Sequence, residues 1–243
     1  MYGKLECSII TIMKTILEKI DKNQNNTDII REAGRILKEG GLVAFPTETV
    51  YGLGADALNE DAAKKIYAAK GRPSDNPLII HITNMKALEK IVSEVPEKAV
   101  KVAEKYWPGP LTMIFNKSDI VPYGTTGGLD TVAVRMPSHE GARQLIERAG
   151  VPVAAPSANT SGRPSPTTAE HVKEDLWGRI DMIIDGGPVG IGVESTIIDV
   201  TEETPTILRP GHITKNMIQY QWFKAIKITR LKNVRFECNK RAD

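Results

Sequence analysis

Alternating apolar and polar positions over residues 14–20 predict a first strand, and residues 21–26 read as a polar loop. From Thr27, read as an N-cap, the apolar residues Ile29, Ile30, Ala33, Ile36 and Leu37 recur on one helical face until Gly40-Gly41 stops the run. Residues 42–45 form a short buried strand, and Asn59 caps a second helix that carries Ala62, Ala63, Ile66 and Tyr67 to Gly71. A strand at 77–82, helices at 84–93 and 96–106 and a rigid turn at Trp107-Pro-Gly-Pro110 follow. Further strands are expected at 111–115, 131–135, 151–155, 182–184, 195–200 and 206–208, with helices at 139–149 and 167–176. Interleaved helices and strands predict an α/β domain on a large mixed sheet. After Pro210-Gly211 no clean helical or strand period remains, which places a boundary near residue 213.

Composition narrows the class. With 41% hydrophobic and 26% charged residues the chain reads as an ordinary globular protein, and no run approaches the roughly 18 apolar residues that a spanning helix needs. Cys7 and Cys238 stand at opposite ends, without CxxC spacing, which argues against a structural zinc site and fits a reducing cytoplasm. The net charge of +2 is uneven: eight basic residues against two acidic ones fall in residues 213–243, leaving the body slightly acidic. A diffuse nucleic-acid footprint over the body is therefore not expected.

Several motifs bear on chemistry. Gly52-Leu-Gly54-Ala-Asp-Ala57 matches a loose dinucleotide fingerprint, but Pro46 to Tyr51 intervene after the strand, which a Rossmann turn does not allow. Neither a P-loop nor a G-x-S-x-G elbow is present. Lys70 and Arg72 flank Gly71 at a helix end; they read either as helix C-terminal cations or, with the rigid Pro-Ser-Asp-Asn76-Pro loop, as an anion site. Pro156-Ser157-Ala-Asn159 through Ser165 follows a buried strand, where a phosphate or ribose cradle or a plain surface turn fits. The glycine-rich run 186–192 before Glu194-Ser195 reads as a close backbone approach to a ligand or as a flexible linker. Arg135 and Arg209 end strands, and with Lys70 and Arg72 they make four cations suited to a multiply charged substrate. His139 and His171 read as solvated helix starts, whereas His81 interrupts an apolar strand as a core or functional histidine.

Four long motifs in order, residues 40–54, 70–78, 156–162 and 194–199, resemble the YrdC-type threonylcarbamoyl-AMP synthases over roughly residues 14–213. The resemblance implies a twisted sheet around a large positive cavity. It implies a reaction that joins L-threonine, bicarbonate and ATP, with magnesium carried by the ATP, into threonylcarbamoyl-AMP and pyrophosphate. That product serves the threonylcarbamoyl modification of the adenosine beside the tRNA anticodon, through a downstream transferase complex, with tRNA as a further partner. Carried onto this chain, the threonine site comprises Thr47, Thr49, Tyr51, His81, Arg135, Ala155 and Ser195. The nucleotide site comprises Lys70, Arg72, Asn76, Thr131, Ser157, Asn159, Ser165 and Arg209, with Lys70 and Arg72 stabilising the charge that develops in the reaction.

On this reading residues 1–13 are an extension, 14–213 the catalytic domain and 214–243 a basic tail. Longer members of the family add a Rossmann-like domain that this tail does not resemble. One rival is an RNA-binding or ribosome-maturation protein, double-stranded RNA included, whose tail stacks bases on Trp222 and Phe223. The other is the carbamoyl-adenylate activity of hydrogenase-maturation proteins.

Overall fold

The computed structural model describes residues 14–21, 26–222 and 227–228. The expected extension 1–13, Cys7, Cys238, Phe223 and most of the basic tail lie outside those residues. Among the described residues the chain runs β1 (Ile16–Lys19), α1 (Thr27–Lys38), β2 (Val43–Pro46), β3 (Tyr51–Asp56), α2 (Glu60–Lys70), β4 (Ile79–His81), α3 (Met85–Ile91), α4 (Glu97–Tyr106) and β5 (Leu111–Asn116). It continues with α5 (Tyr123–Thr126), β6 (Thr131–Arg135), α6 (Glu140–Ala149), β7 (Val153–Ala154), α7 (Ala169–Leu176), β8 (Met182–Asp185), β9 (Thr196–Asp199), β10 (Thr206–Arg209), α8 (Lys215–Trp222) and β11 (Lys227–Ile228).

The strands join in the order β1-β8-β2-β3-β7-β4-β6-β5-β9-β10-β11. Parallel pairs such as β4–β6 and β5–β9 stand among antiparallel ones such as β2–β3, β4–β7 and β5–β6, so the sheet is mixed, as the pattern predicts.

Strand alternation sorts side chains between the two faces. Leu78, Ile80 and Ile82 along β4, Val132 and Val134 of β6, and Met113 and Phe115 of β5 enter the main core, where apolar residues of α2, α3, α4 and α7 meet them. Removing each such side chain from water contributes about 1.5–3 kcal/mol. On the opposite face α1 and α6 pack together over Val43 and Phe45 of β2, Val153 of β7, and Met182 and Ile184 of β8. Farther along that face, among the described residues, only strand residues cluster: Ile79, Ile114, Ala133, Ile197 and Leu208. Among the described residues no helix lies over this stretch of sheet, and the polar residues that share its face meet there.

Four local features depart from the sequence pattern or refine it. Asn26, not Thr27, is the N-cap of α1, and its side chain makes no cap bond because it is exchanged with Asp21 instead (Nδ2 to Asp21 O, 2.8 Å). Residues 51–56 pair with β2 and β7 as β3, a strand that the rejected fingerprint obscured. Gly54 is required there because a Cβ would lie 2.7 Å from the Phe45 ring. Gly71 takes the left-handed C-cap expected of it, at φ 60°. Beyond residue 213 a helix does form: Ile218 of α8 is fully buried in the main core, and Tyr106 Oη donates to the Met217 carbonyl at 2.7 Å. Docking rather than amphipathic period supports that helix.

Candidate active site

The β2–β3 connection is a four-residue turn organised by Thr47. Its hydroxyl donates to Val50 O (2.7 Å) and accepts from the N–H groups of Thr49 (3.2 Å) and Val50 (3.3 Å). With its one hydrogen committed, Thr47 Oγ1 accepts from the Thr49 hydroxyl at 2.9 Å. Thr49 Oγ1 in turn accepts from Arg135 Nη1 at 2.9 Å.

His81 and Arg135 are register partners at the ends of β4 and β6. The His81 Nδ1 atom lies 3.2 Å from Ile79 O; a carbonyl only accepts, so Nδ1 carries the hydrogen and Nε2 is an acceptor. Burial, reinforced by the Arg135 charge, pushes the imidazole pKa down to about 3, so His81 is neutral at physiological pH. Arg135 also donates through Nε to Gly109 O (3.3 Å), in the turn that follows α4. Its Nη2 lies 2.7 Å from Glu48 Oε1.

Ser195, just before β9, shares a 2.7 Å hydroxyl contact with Thr112 of β5. Arg209, ending β10, donates from Nε to Ser195 O (3.0 Å) and from Nη2 to Ser195 Oγ (3.1 Å), and its Nη1 pairs with Glu194. The other Glu194 oxygen accepts from Ser165 Oγ at 2.9 Å.

Lys70 ends α2 only 2% exposed, with its side chain turned to the 157–163 loop. Its ammonium donates to the carbonyls of Ser157 and Asn159 and reaches Asn159 Oδ1 at 3.4 Å. The Asn159 amide holds Arg163 O (2.6 Å) and Thr160 O (2.9 Å), and Ser161 N–H donates to Lys70 O (2.8 Å). The 157–163 loop therefore wraps the end of α2. Asp175 of α7 anchors it from behind, accepting from Thr160 N–H at 3.3 Å and pairing with Arg163.

Of the residues expected at the site, Thr49, Arg72, His81, Arg135, Ala155, Ser157, Ser195 and Arg209 line one cleft on the uncovered stretch of sheet. Thr47 stands behind Thr49, Lys70 and Asn159 behind Ser157, and Ser165 behind Glu194. Tyr51 points elsewhere: its hydroxyl donates to Gly187 O (2.7 Å) and accepts from Gly186 N–H (3.2 Å), tying down the glycine-rich run. Bonds from Val189, Ile191 and Gly192 N–H to the carbonyls of Thr167, Glu48 and Thr49 hold the rest, so that run is a fastened strap. Asn76 and Thr131 are outside the cleft lining; Asn76 O accepts from Tyr67 Oη at 3.0 Å, and Thr131 starts β6 opposite Asn116.

The carboxylates Glu48 and Glu194 complete the arrangement, and reasoning from strand-end cations missed both. Their signal was present, since each immediately precedes a predicted site residue, Thr49 or Ser195. Burial pushes the Glu48 carboxyl up, yet Arg135 and the N–H groups of Glu48 and Ser138 outweigh that and hold it below its usual value. Two of the four expected cations thus have carboxylate partners.

Residues 35–211 match the Sua5/YciO/YrdC family, described as "Telomere recombination". Curated relatives include the threonylcarbamoyl-AMP synthase of Pyrococcus abyssi, 56% identical over 86% of this chain and 60% of its own length. That of Bacillus subtilis is 54% identical over 85% of this chain and 61% of its own length. The crystal structure of P. abyssi Sua5 complexed with L-threonine superposes with a TM-score of 0.86 at 55% identity, covering 88% of this chain and 63% of that one. The chain spans about three-fifths of the length of these relatives.

Proposed function

This chain belongs to the Sua5/YciO/YrdC family, and we propose that its cleft makes threonylcarbamoyl-AMP from L-threonine, bicarbonate and ATP, releasing pyrophosphate. The observation that carries the reading is the convergence of eight expected site residues from β3, β4, β6, β7, β9 and β10 and their flanking loops on one concave face. The names of the relatives and the threonine complex of the P. abyssi protein point the same way.

In the proposed reaction the threonine amine attacks bicarbonate, forming a C–N bond and releasing water. An oxygen of the resulting carbamate then attacks the α-phosphorus as the bond to the β-phosphate oxygen breaks. No step needs a strong protein base, so the task of the site is alignment and charge stabilisation. Arg135, Thr49 and Ser195 hold the amino acid, with neutral His81 offering an acceptor that does not repel an amine. Arg72, Arg209 and Ser157 meet the nucleotide, and Lys70 acts on it through the loop it organises. Magnesium enters as the counter-ion of the triphosphate, a part of the substrate. The unit responsible is residues 14–213, the adenylate passes to a downstream tRNA-modifying transferase, and the setting is cytoplasmic.

The test is pyrophosphate release from ATP and magnesium, omitting L-threonine and bicarbonate in turn. Release that requires both is expected. Release that persists without threonine overturns the reading.

A further inference from the structure

The Arg135 guanidinium is backed by a carboxylate that the reaction above does not use. Glu48 lies in the β2–β3 turn and borders a second cavity of about 620 Å³, beside Ser138, His139 and Glu140 at the start of α6. Arg135 lines the cleft, so this ion pair is the partition between the two spaces. Both side chains are mostly withdrawn from water, Arg135 at 5% and Glu48 at 13% exposure. The contact is close, but the guanidinium N–H does not point along it, which makes it a Coulombic couple rather than an aligned hydrogen bond. The turn itself is fastened, since Glu48 O and Thr49 O accept from the strap residues Ile191 and Gly192 at 3.0 Å each.

A guanidinium has five N–H donors. Arg135 directs Nε to Gly109 O and one Nη1 hydrogen to Thr49, while Nη2 is turned, fully buried, toward Glu48, which leaves the second Nη1 hydrogen for a ligand. Gly109 and Thr49 are neutral acceptors. A full charge fixed on a rigid turn adds an attraction that draws the Nη2 end of the fork toward Glu48. We propose that Glu48 is a positioning residue, holding Arg135 so that its remaining Nη1 hydrogen meets the carboxylate of the amino-acid substrate. The inference rests on the reading of this part of the cleft as an L-threonine site.

A purely structural counter-ion would cost stability without changing ligand preference, and a competitor for Arg135 would weaken binding by its presence. Calorimetric titration of wild type, Glu48→Gln and Glu48→Asp with L-threonine and separately with ATP and magnesium distinguishes these. Glu48→Gln keeps the shape and one acceptor oxygen while removing the charge; Glu48→Asp keeps the charge but draws it back, and carries the comparison if the first variant does not fold. The expected result is threonine binding weakened about tenfold, the scale of one charge-assisted hydrogen bond, with ATP affinity within about twofold of wild type. Unchanged or tighter threonine binding, or equal weakening of both ligands, overturns the inference while leaving the site reading intact. Failure of wild type to bind threonine overturns the site reading and this inference with it.

Discussion

The two ends of the cleft hold their cations differently. Around β6 and β10, Arg135 and Arg209 face carboxylates, Glu48 and Glu194, so positive charge is fixed in place and locally offset. Around the end of α2, Lys70 is met by the carbonyls of Ser157 and Asn159, and Arg72 Nη2 donates to Pro77 O at 3.2 Å. Carbonyl dipoles satisfy donors without cancelling their charge. The arginine pairs are suited to orienting a smaller group that carries one charge.

The paired end is the more vulnerable to substitution. Glu194→Ala strips Arg209 of its counter-ion and Ser165 of its acceptor, and the loss of a buried partner costs about 3–5 kcal/mol. Chemical denaturation is expected to show that loss, together with weaker binding of both ligands; a midpoint near wild type would mean that the pair carries little. Lys70→Ala tests the other end. Leaving the loop carbonyls without their donor is expected to cost about 2 kcal/mol and to weaken ATP at least about tenfold, with threonine affected far less. Equal loss for both ligands would remove the distinction between the ends.

A further effect concerns pH. His81 is held neutral, with its folded pKa lowered to about 3 from a usual 6.5, so below pH 6.5 the unfolded chain binds a proton that the folded chain refuses. Stability therefore falls as pH drops from about 6.5 toward 3, by up to about 1.4 kcal/mol per pH unit from this group. Melting temperatures of wild type and His81→Gln across pH 4–7 check this; the variant is expected to show the shallower slope.

How far these features were legible depends on whether a local rule governs them. Helices α1, α2 and α6 and strands β2, β5 and β6 follow from apolar periodicity and glycine stops, because each buries one face and exposes, or buries elsewhere, the other. β3 escaped because Tyr-Gly-Leu-Gly-Ala-Asp has little strand character of its own and becomes a strand by pairing with β2 and β7. α8 escaped because its support is the docking of Ile218 and the Tyr106 bond to Met217. In the site, arginine and histidine at strand ends could be recognised as unusual where they stood. That Lys70 would face backbone carbonyls could not, since those acceptors lie 87 and 89 residues away in the chain.

The chain alone determined the α/β class, most of the elements and the motifs that mark the family, because periodicity, capping and turn chemistry act over a few neighbouring residues. Which cations would be balanced by carboxylates and which by carbonyls, which motif would line the cleft and which would stand behind it, and where the sheet would go uncovered were decided only in three dimensions. Those outcomes depend on strand order and on which residues share a face, and both are set by pairings between distant segments.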